Sequence, residues 1–312
     1  MEETYYEMDL PRENIHLRCF AHSIMNYRYH WHPDEYELSI VLKGNQEYCR
    51  GTETHSLFED DLILTAPGNG HASMRQQPGT RALVLHFPSN ALKLLVKKGY
   101  IYQFPTCLSN ENTRYEERFC RIRFYASQIW QSLECGGTYA QLSAKVNLEL
   151  LLITLFTEFD PQQINLISEE DKRRATIHLL LSYVEEHYAE KLSLEDLADY
   201  AQYNRTYVST LFKQMVGINF HEYLTRVRFQ HALNDLTYTR DNLTDIALKN
   251  GFPDLKTLTA RFRSTFQRTP AQYRAALKPD EVLYDKVRQF LDPQDMVLRK
   301  KLGEYAKTGI IK

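Results

Sequence analysis

Long apolar runs are absent from the 312-residue sequence, which argues against a membrane-spanning helix. The most apolar stretch, residues 148–156, is well short of the roughly 20 residues that such a helix needs, and it contains Glu149. The N-terminal residues are acidic and lack the basic start and apolar core of a signal peptide. We therefore expect a cytoplasmic protein without a membrane partner.

Cysteine is scarce, and motifs of enzyme active sites are absent. The five cysteines are odd in number and form no CxxC pair, which argues against a disulfide framework and against a cysteine zinc site. The sequence has no phosphate-binding loop, no GxSxG, no HExxH and no dinucleotide-binding fingerprint. These absences favour a protein of a reducing compartment that is not an enzyme.

The charge is unevenly distributed along the chain, although the formal net charge is only −2. Residues 1–172 contain 16 Lys and Arg against 23 Asp and Glu, a balance of −7, whereas residues 173–278 contain 15 against 11, a balance of +4. A basic module attached to an acidic one suits a domain that binds a polyanion. Many helical domains carry as much positive charge without a nucleic-acid partner. Whether this module binds nucleic acid must therefore be judged from its sequence motifs.

The hydrophobic periodicity changes along the chain. Residues 27–86 alternate between short apolar runs and Gly- or Pro-containing turns, which predicts an antiparallel sheet closed into a small barrel or sandwich. From residue 112 to 159 the apolar spacing becomes helical and predicts two helices, 112–135 and 138–159, that pack on the barrel or mediate dimerisation. The predicted apolar stripe of the first helix consists of Tyr115, Phe119, Ile122, Ala126, Ile129 and Leu133. The polar stretch after them contains Pro161 and is interpreted as a linker.

Residues 192–213 have the pattern of a helix-turn-helix. Ser193, with Asp196 three residues later, predicts the start of one short helix, and Asn204 predicts the start of the next. The small residue Ala198 lies where the two helices would cross closely. The same arrangement recurs about fifty residues later, in 243–263, with Asn242 as the predicted cap. Thr257 falls where the first unit has Tyr207, which belongs to the predicted buried set. A predicted long helix, 220–236, joins the two units.

Residues 173–278 resemble the DNA-binding domain of the AraC/XylS family. The matching residues are Ala198, Phe212, Lys213 and Gly217 in the first unit, Tyr223, Arg226, Arg228, Ala232 and Leu236 in the joining helix, and Ile246, Ala247, Gly251, Phe252, Asp254, Phe262, Arg263 and 269–274 in the second. The sequence departs from the family at Gln202 and Gln267, where glycine is usual, which puts the local turn geometry in doubt.

The resemblance implies that the second helix of each unit enters the major groove of double-stranded DNA. Removing the apolar positions leaves two sets of outward-facing residues. The expected base contacts are Thr206, Ser209, Thr210, Lys256 and Thr259, and the expected phosphate contacts are Arg205, Lys213 and Arg263. The alternative is that these side chains form an ordinary solvated helix face. For one isolated helix that interpretation would be the better one, but two units in the order of the family favour DNA contact.

The N-terminal region resembles the cupin fold, a small β-barrel that is the usual sensor partner of this DNA-binding domain. The resemblance lies in the HxH, Glu and Gly of residues 30–44 and in the looser second motif, 61–71. It implies a small polar effector, for which a sugar is one candidate. The expected effector-binding residues are His30, His32, Glu37, Tyr48, His71 and Arg81.

We expect no cofactor. In metal-binding cupins the positions of His30, His32, Glu37 and His71 are ligands, and three imidazoles with a carboxylate suit Mn, Fe, Ni or Zn. Regulators of this family often keep the pattern without a metal. A metal-dependent enzyme fused to a DNA-binding domain, and a DNA-binding protein whose barrel only dimerises, are the competing hypotheses.

The predicted fold class is α+β and multidomain: a cupin β-barrel with a helical pair, then an all-α double helix-turn-helix domain. We expect a homodimer, which contacts RNA polymerase if it is an activator. The predicted segments are a sensing barrel in 1–110, a helical pair in 111–160, a linker in 161–172, the DNA-binding domain in 173–278, and a helical extension of unknown role in 279–312, with an amphipathic helix around Val282, Val287, Phe290 and Leu291.

Overall fold

The computed structural model describes residues 6–10, 15–23, 30, 32, 34–50, 53–77, 79–92, 100–137, 139–165, 169–277 and 290–308. Its N-terminal part is built from antiparallel strands. They are β1 (Tyr6–Leu10), β2 (Ile15–Ser23), β3 (Glu35–Lys43), β4 (Asn45–Arg50), β5 (Glu53–Phe58), β6 (Leu62–Thr65), β7 (His71–Arg75), β8 (Arg81–Pro88), β9 (Tyr100–Gln103) and β10 (Gln162–Asn165), with a 3₁₀ helix at Ser89–Leu92.

Two sheets enclose the N-terminal core. One has the order β1-β2-β8-β3-β6 and the other the order β5-β4-β7, and β9 pairs separately with β10. The alternation of buried and half-buried residues along β2 is what a strand shows when one face is covered. In the larger sheet Glu37 lies opposite His86 on one side and Thr65 on the other, so residues distant in sequence share one face.

Two long helices, α1 (Glu117–Cys135) and α2 (Ala140–Glu158), follow the strands and agree with the predicted pair. The predicted apolar stripe of α1 holds for Phe119, Ile122 and Ile129, which are fully buried in the barrel's main core. It fails at Tyr115, which is 70% exposed, because the turn before the helix carries it away from the core.

The segment interpreted as a linker, 161–172, contains regular structure. Strand β10 pairs with β9, and helix α3 (Glu169–His187) begins immediately after the undescribed residues 166–168. Its polar composition concealed this strand, because β10 is an edge strand of four residues that leaves most of its side chains to solvent.

The C-terminal module is helical. It comprises α3 with α4 (Leu194–Ala201), α5 (Arg205–Val216), α6 (Phe220–Tyr238), α7 (Leu243–Lys249), α8 (Leu255–Phe266) and α9 (Pro270–Ala275). The predicted caps are present: Ser193 forms a capping box with Asp196, and Asn204 and Asn242 each accept a backbone N–H three residues on. The predicted α+β fold class is confirmed.

The chain returns to the barrel after the helical module. Leu291 is fully buried there, and a last helix, α10 (Met296–Thr308), packs against α1 and the strand core. The helix predicted around Val282 and Val287 lies outside the described residues, and Phe290 and Leu291 precede α10 rather than forming a helix. Within the described part of the chain, each helix lacks either the length or the continuous apolar surface needed to cross a bilayer.

Candidate effector cavity and nucleic-acid interface

The barrel contains a cavity of about 360 Å³ that is rich in histidine. Strands of both sheets supply its walls. It is lined by Glu7, Arg18, Phe20, His22, His30, His32, Glu37, Ser39, Tyr48, His71, Ser73, Val84, His86 and Phe290. A cavity of this size with a mixed polar and aromatic lining is typical of a small-molecule site.

Glu37 forms the centre of the polar wall. Its Oε2 lies close to four imidazole Nε2 atoms: those of His71 at 3.0 Å, His32 at 3.2 Å, His86 at 3.4 Å and His30 at 3.8 Å. Its Oε1 accepts from the Tyr48 hydroxyl at 3.3 Å. One carboxylate oxygen has about two acceptor sites, so it cannot accept hydrogen bonds from all four imidazoles at once. A polar ligand can bond these ring nitrogens as well, and each nitrogen donates or accepts according to the tautomer of its ring.

The protonation states follow from burial and neighbouring charge. Burial alone would raise the pKa of Glu37, but His71, His30 and His32 outweigh burial and hold it well below its usual value. Burial lowers the pKa of His71 despite the adjacent carboxylate. Burial, reinforced by the charge of Glu37, raises the pKa of Tyr48 well above 10. At neutral pH the site holds an ionised carboxylate, a neutral imidazole at His71 and a protonated phenol.

A second acidic group, Glu35, orients the imidazole of His86 in this cluster. His86 Nδ1 lies 3.4 Å from the Glu35 carboxylate, and Arg18 forms an ion pair with the same oxygen. The hydrogen bond from His86, supported by the charge of Arg18, lowers the pKa of Glu35 to about 2. His86 is thus held between two carboxylates, because its other nitrogen faces Glu37.

The donor set fits a divalent metal ion. Ligand atoms of His30, His32, Glu37 and His71 lie within 4.8 Å of one another, and His32, Glu35 and His86 form a second such group. An ion held by the first group would supply a positive charge for a polar ligand to coordinate. The same side chains can also hydrogen-bond such a ligand directly.

The structure brings together five of the six residues predicted to bind an effector, and effector binding itself remains a prediction. His30, His32, Glu37, Tyr48 and His71 line the cavity, but Arg81 does not. Arg81 lies at the start of β8, donates to the Gly79 carbonyl at 3.2 Å and lies 3.7 Å from Asp295.

Sequence reasoning missed His22, His86, Phe20 and Phe290. His86 could have been predicted from the sequence, because Val84 and His86 are two residues apart on β8 and therefore point to the same face of the strand. Phe290 had none, because it is more than two hundred residues from every other residue that lines the cavity.

The candidate nucleic-acid face of the first unit lies on α5. Val208, Leu211 and Phe212 are buried, which leaves the predicted contacts Thr206, Ser209, Thr210 and Lys213 exposed. Arg205, predicted to bind phosphate, is also exposed, but its Nε lies 2.9 Å from Glu195 on α4. The terminal nitrogens of the guanidinium carry four further N–H groups, so Arg205 can contact a phosphate while this pair persists.

The corresponding face of the second unit lies on α8. Lys256 and Arg263 are exposed as predicted, whereas Thr259 is half-buried. Thr257 was assigned to the buried set by analogy with the first unit, but it is exposed. Because Thr257 lies in the first turn of α8, at the capped end, it is an additional candidate for contact with base edges.

Two turns adopt the left-handed backbone that the family usually builds with glycine. Gln202 has φ 59° and Gln267 has φ 55°. Both residues follow a helix and close it with a backbone N–H bond to the preceding turn. The departures noted in the sequence therefore leave the turn geometry unchanged, at a cost of about 1 kcal/mol each for a residue with a Cβ.

Two family models match the chain, one in the barrel region and one in the helical module. The model of the AraC-like ligand-binding domain matches residues 14–123, and that of a helix-turn-helix domain matches residues 197–276. The chain belongs to the AraC/XylS family.

Individual relatives match smaller parts of this AraC-family chain. An uncharacterised HTH-type transcriptional regulator of Staphylococcus aureus is 38% identical over 98 residues, which cover 31% of this chain and 13% of that protein. The HTH-type transcriptional activator RhaS of an Enterobacter species is 27% identical over 154 residues, 49% of this chain and 53% of RhaS. The chain thus spans 13% of the length of the first relatives and about half of RhaS.

Two solved structures also match parts of the chain. An AraC-type regulator of Chromobacterium violaceum has 28% identity and a TM-score of 0.32, and the match covers 34% of this chain and 94% of that one. ToxT of Vibrio cholerae has 13% identity and a TM-score of 0.40, and the match covers 85% of this chain and 98% of that one.

Proposed function

We propose that this AraC-family protein is a sequence-specific transcription regulator whose DNA binding is set by a small polar effector in the barrel cavity. The observation that supports it best is the position of β4, which lies between the cavity and the helical module. Tyr48 lines the cavity, while its neighbours Glu47 and Cys49 contact the helical module on the opposite face.

The contact between barrel and module is both ionic and apolar. Arg226 of α6 donates to Glu47 at 2.8 Å and lies 3.1 Å from the Cys49 sulfur. Cys49, Ala72 and Met74 are buried with the apolar residues of the helical module. A ligand that displaces Tyr48 therefore acts on a strand that also holds the DNA-binding module.

The ionic contact continues to a DNA-reading helix. Glu222 accepts from Arg226 at 2.6 Å and from Arg261 of α8 at 2.9 Å. Glu47, Arg226, Glu222 and Arg261 thus form a chain of alternating charge from the barrel to α8. A ligand that shifts β4 would change these contacts, and allosteric coupling requires contacts that differ between the ligand-bound and ligand-free states.

The proposed effector is a small molecule with several hydroxyl or amino groups, with a sugar as one candidate. The grouping of four imidazoles around one oxygen of Glu37 supports direct binding without a metal. A divalent ion held by His30, His32, Glu37 and His71 is the alternative, because their ligand atoms lie within 4.8 Å of one another. The proposed regulator acts in the cytoplasm, catalyses no reaction and has no membrane partner.

A homodimer is the proposed assembly, and α2 provides the surface for it. Its side chains Tyr139, Leu142, Val146, Leu150 and Ile153 are 79, 59, 44, 38 and 57% exposed. Their mean spacing is about 3.5 residues, which is the period of a coiled-coil seam. Two DNA-binding modules would double the DNA site, and an activator of this kind would also contact RNA polymerase.

The experiment begins with a DNA fragment selected from a random-sequence library on the purified protein. Thermal unfolding is then measured against a panel of monosaccharides and divalent metals, with and without a chelator. A ligand at a hundred times its Kd adds about 2.7 kcal/mol and raises Tm by several degrees. A rise with one sugar that a chelator leaves unchanged supports direct binding, and a rise that requires metal supports the metal alternative.

Coupling is tested with Glu47→Gln and with the control Glu53→Gln, which lies on the neighbouring strand and is exposed. The stabilising ligand should change DNA affinity about 5- to 150-fold in the unmodified protein and in the control. Glu47→Gln should reduce that factor at least several-fold. Absence of any enriched DNA sequence, or ligand binding without an effect on DNA affinity, would refute the proposal.

A further inference from the structure

The segment that follows the DNA-binding module contributes to the effector cavity. We propose that Phe290 is a ligand-contacting residue that forms an aromatic wall with Phe20, and that ligand binding and docking of residues 290–308 stabilise each other. Residues 290–308 are called the C-terminal strap below. The inference rests on the proposed effector cavity and extends it to a part of the chain beyond both family-model matches.

The start of the strap is aligned with a barrel strand. Phe290 forms an antiparallel bridge with His22 at the end of β2, and the Leu291 N–H donates to the Ala21 carbonyl at 2.7 Å. Neighbouring residues of an extended chain point to opposite sides, so Leu291 is fully buried in the core while Phe290 lines the cavity. The ring of Phe290 meets that of Phe20 edge-on, with centroids 5.3 Å apart.

The rest of the strap is anchored by α10. Leu298, Leu302 and Tyr305 are at most 3% exposed in the barrel core. The Tyr305 hydroxyl donates to Asp60 at 2.7 Å, and Lys301 lies 2.9 Å from the same carboxylate. These contacts hold the strap to the barrel independently of Phe290.

The two walls of the cavity define a class of ligand. Glu37 and its imidazoles offer hydrogen bonds at one side, whereas Phe20 and Phe290 offer aromatic surface. A ring with polar substituents on its edge and an apolar face, such as a pyranose, matches both walls. A ligand seated against Phe290 stabilises the docked strap, and by linkage the docked strap raises the affinity for the ligand by the same factor.

The first test compares Phe290→Ala with Met296→Ala, because Met296 belongs to the strap but is 86% exposed. The probe is the monosaccharide of the panel that raises Tm most. Phe290→Ala should weaken its binding about tenfold or more, Phe290→Leu should have an intermediate effect, and Met296→Ala should have none. Unchanged affinity in a folded Phe290→Ala variant would overturn the inference.

A second test needs no ligand and so separates this inference from the proposed function. Diethyl pyrocarbonate modifies exposed histidines, and the modified sites are identified by mass spectrometry. Phe290→Ala should speed modification of His22 and His86 at least threefold, with no change at His178 on α3 and none in Met296→Ala. Equal modification rates in the unmodified protein, Phe290→Ala and Met296→Ala would show that Phe290 does not form a wall of the cavity, whether or not any monosaccharide binds.

Discussion

The barrel and the helical module hold their functional polar residues in opposite ways. In the barrel, four imidazoles and a phenol share Glu37, which is 8% exposed. In the module, the predicted DNA contacts other than the half-buried Thr259 are exposed, and the side chain of Arg205 is 66% exposed. A shared buried carboxylate couples ligand binding to stability, whereas an exposed side chain can change its DNA contacts with little effect on the fold.

The largest expected effect is that of Glu37→Gln. Removing the charge that several buried donors share should lower the free energy of unfolding of the barrel by about 2–3 kcal/mol. Urea unfolding measures the change. Glu195→Gln serves as the control, since Glu195 is 58% exposed and should change stability by less than about 0.5 kcal/mol. Equal effects of the two substitutions would contradict the comparison between barrel and module.

Arg263→Ala tests the opposite property of the module. Loss of one phosphate contact should weaken binding to selected and unrelated DNA alike, by about five- to tenfold, and lower the salt slope by about 1. Stability should remain unchanged because Arg263 is exposed. Fluorescence anisotropy at several salt concentrations measures both quantities. Lys300→Ala on α10, where the side chain is 74% exposed, is the control, and an equal loss there would indicate nonspecific attraction instead.

Acid should destabilise the barrel through His71. Burial lowers its pKa, so below about pH 6.5 the unfolded chain binds a proton that the folded chain does not. Stability should therefore fall with decreasing pH, by at most about 1.4 kcal/mol per pH unit for that proton. Urea unfolding between pH 7 and 5 at constant ionic strength measures the slope, and His71→Asn should flatten it. An identical slope in the variant would exclude His71 as the source.

The smallest expected effects are gains at the two left-handed turns. Gln202→Gly and Gln267→Gly should each stabilise the helical module by about 0.5–1 kcal/mol, because glycine adopts a positive φ without a steric cost. Gln202→Ala is the matched control, since alanine retains the Cβ and should give no gain. Thermal unfolding of the three variants measures the difference, and a loss of stability in both glycine variants would show that the glutamine side chains make compensating contacts.

The parts of the molecule that sequence reasoning predicted are those that local rules determine. The caps at Ser193, Asn204 and Asn242 depend on residues three positions apart, and the two long helices follow from apolar spacing. The strands around Glu37 follow from short apolar runs that turn residues bound.

The parts that were missed depend on contacts between distant segments. His86 reaches Glu37 only because β8 inserts between β2 and β3 in the sheet, an order that turn signals do not specify. Arg81 was placed in the cavity, but it lies beside Asp295 of the strap, whose return to the barrel has no local signature. Thr257 was misassigned because the two units differ in how much of the reading helix they bury.

The return of the strap has a mechanical consequence for the DNA-binding module. The module is continuous with the barrel before α3 through β10, and its other end leads to α10, which is embedded in the barrel core. Two connections to the barrel limit how far a module can move from it more than a single tether does. The range of positions in which α5 and α8 are presented together should therefore be narrower than for a module held by one connection.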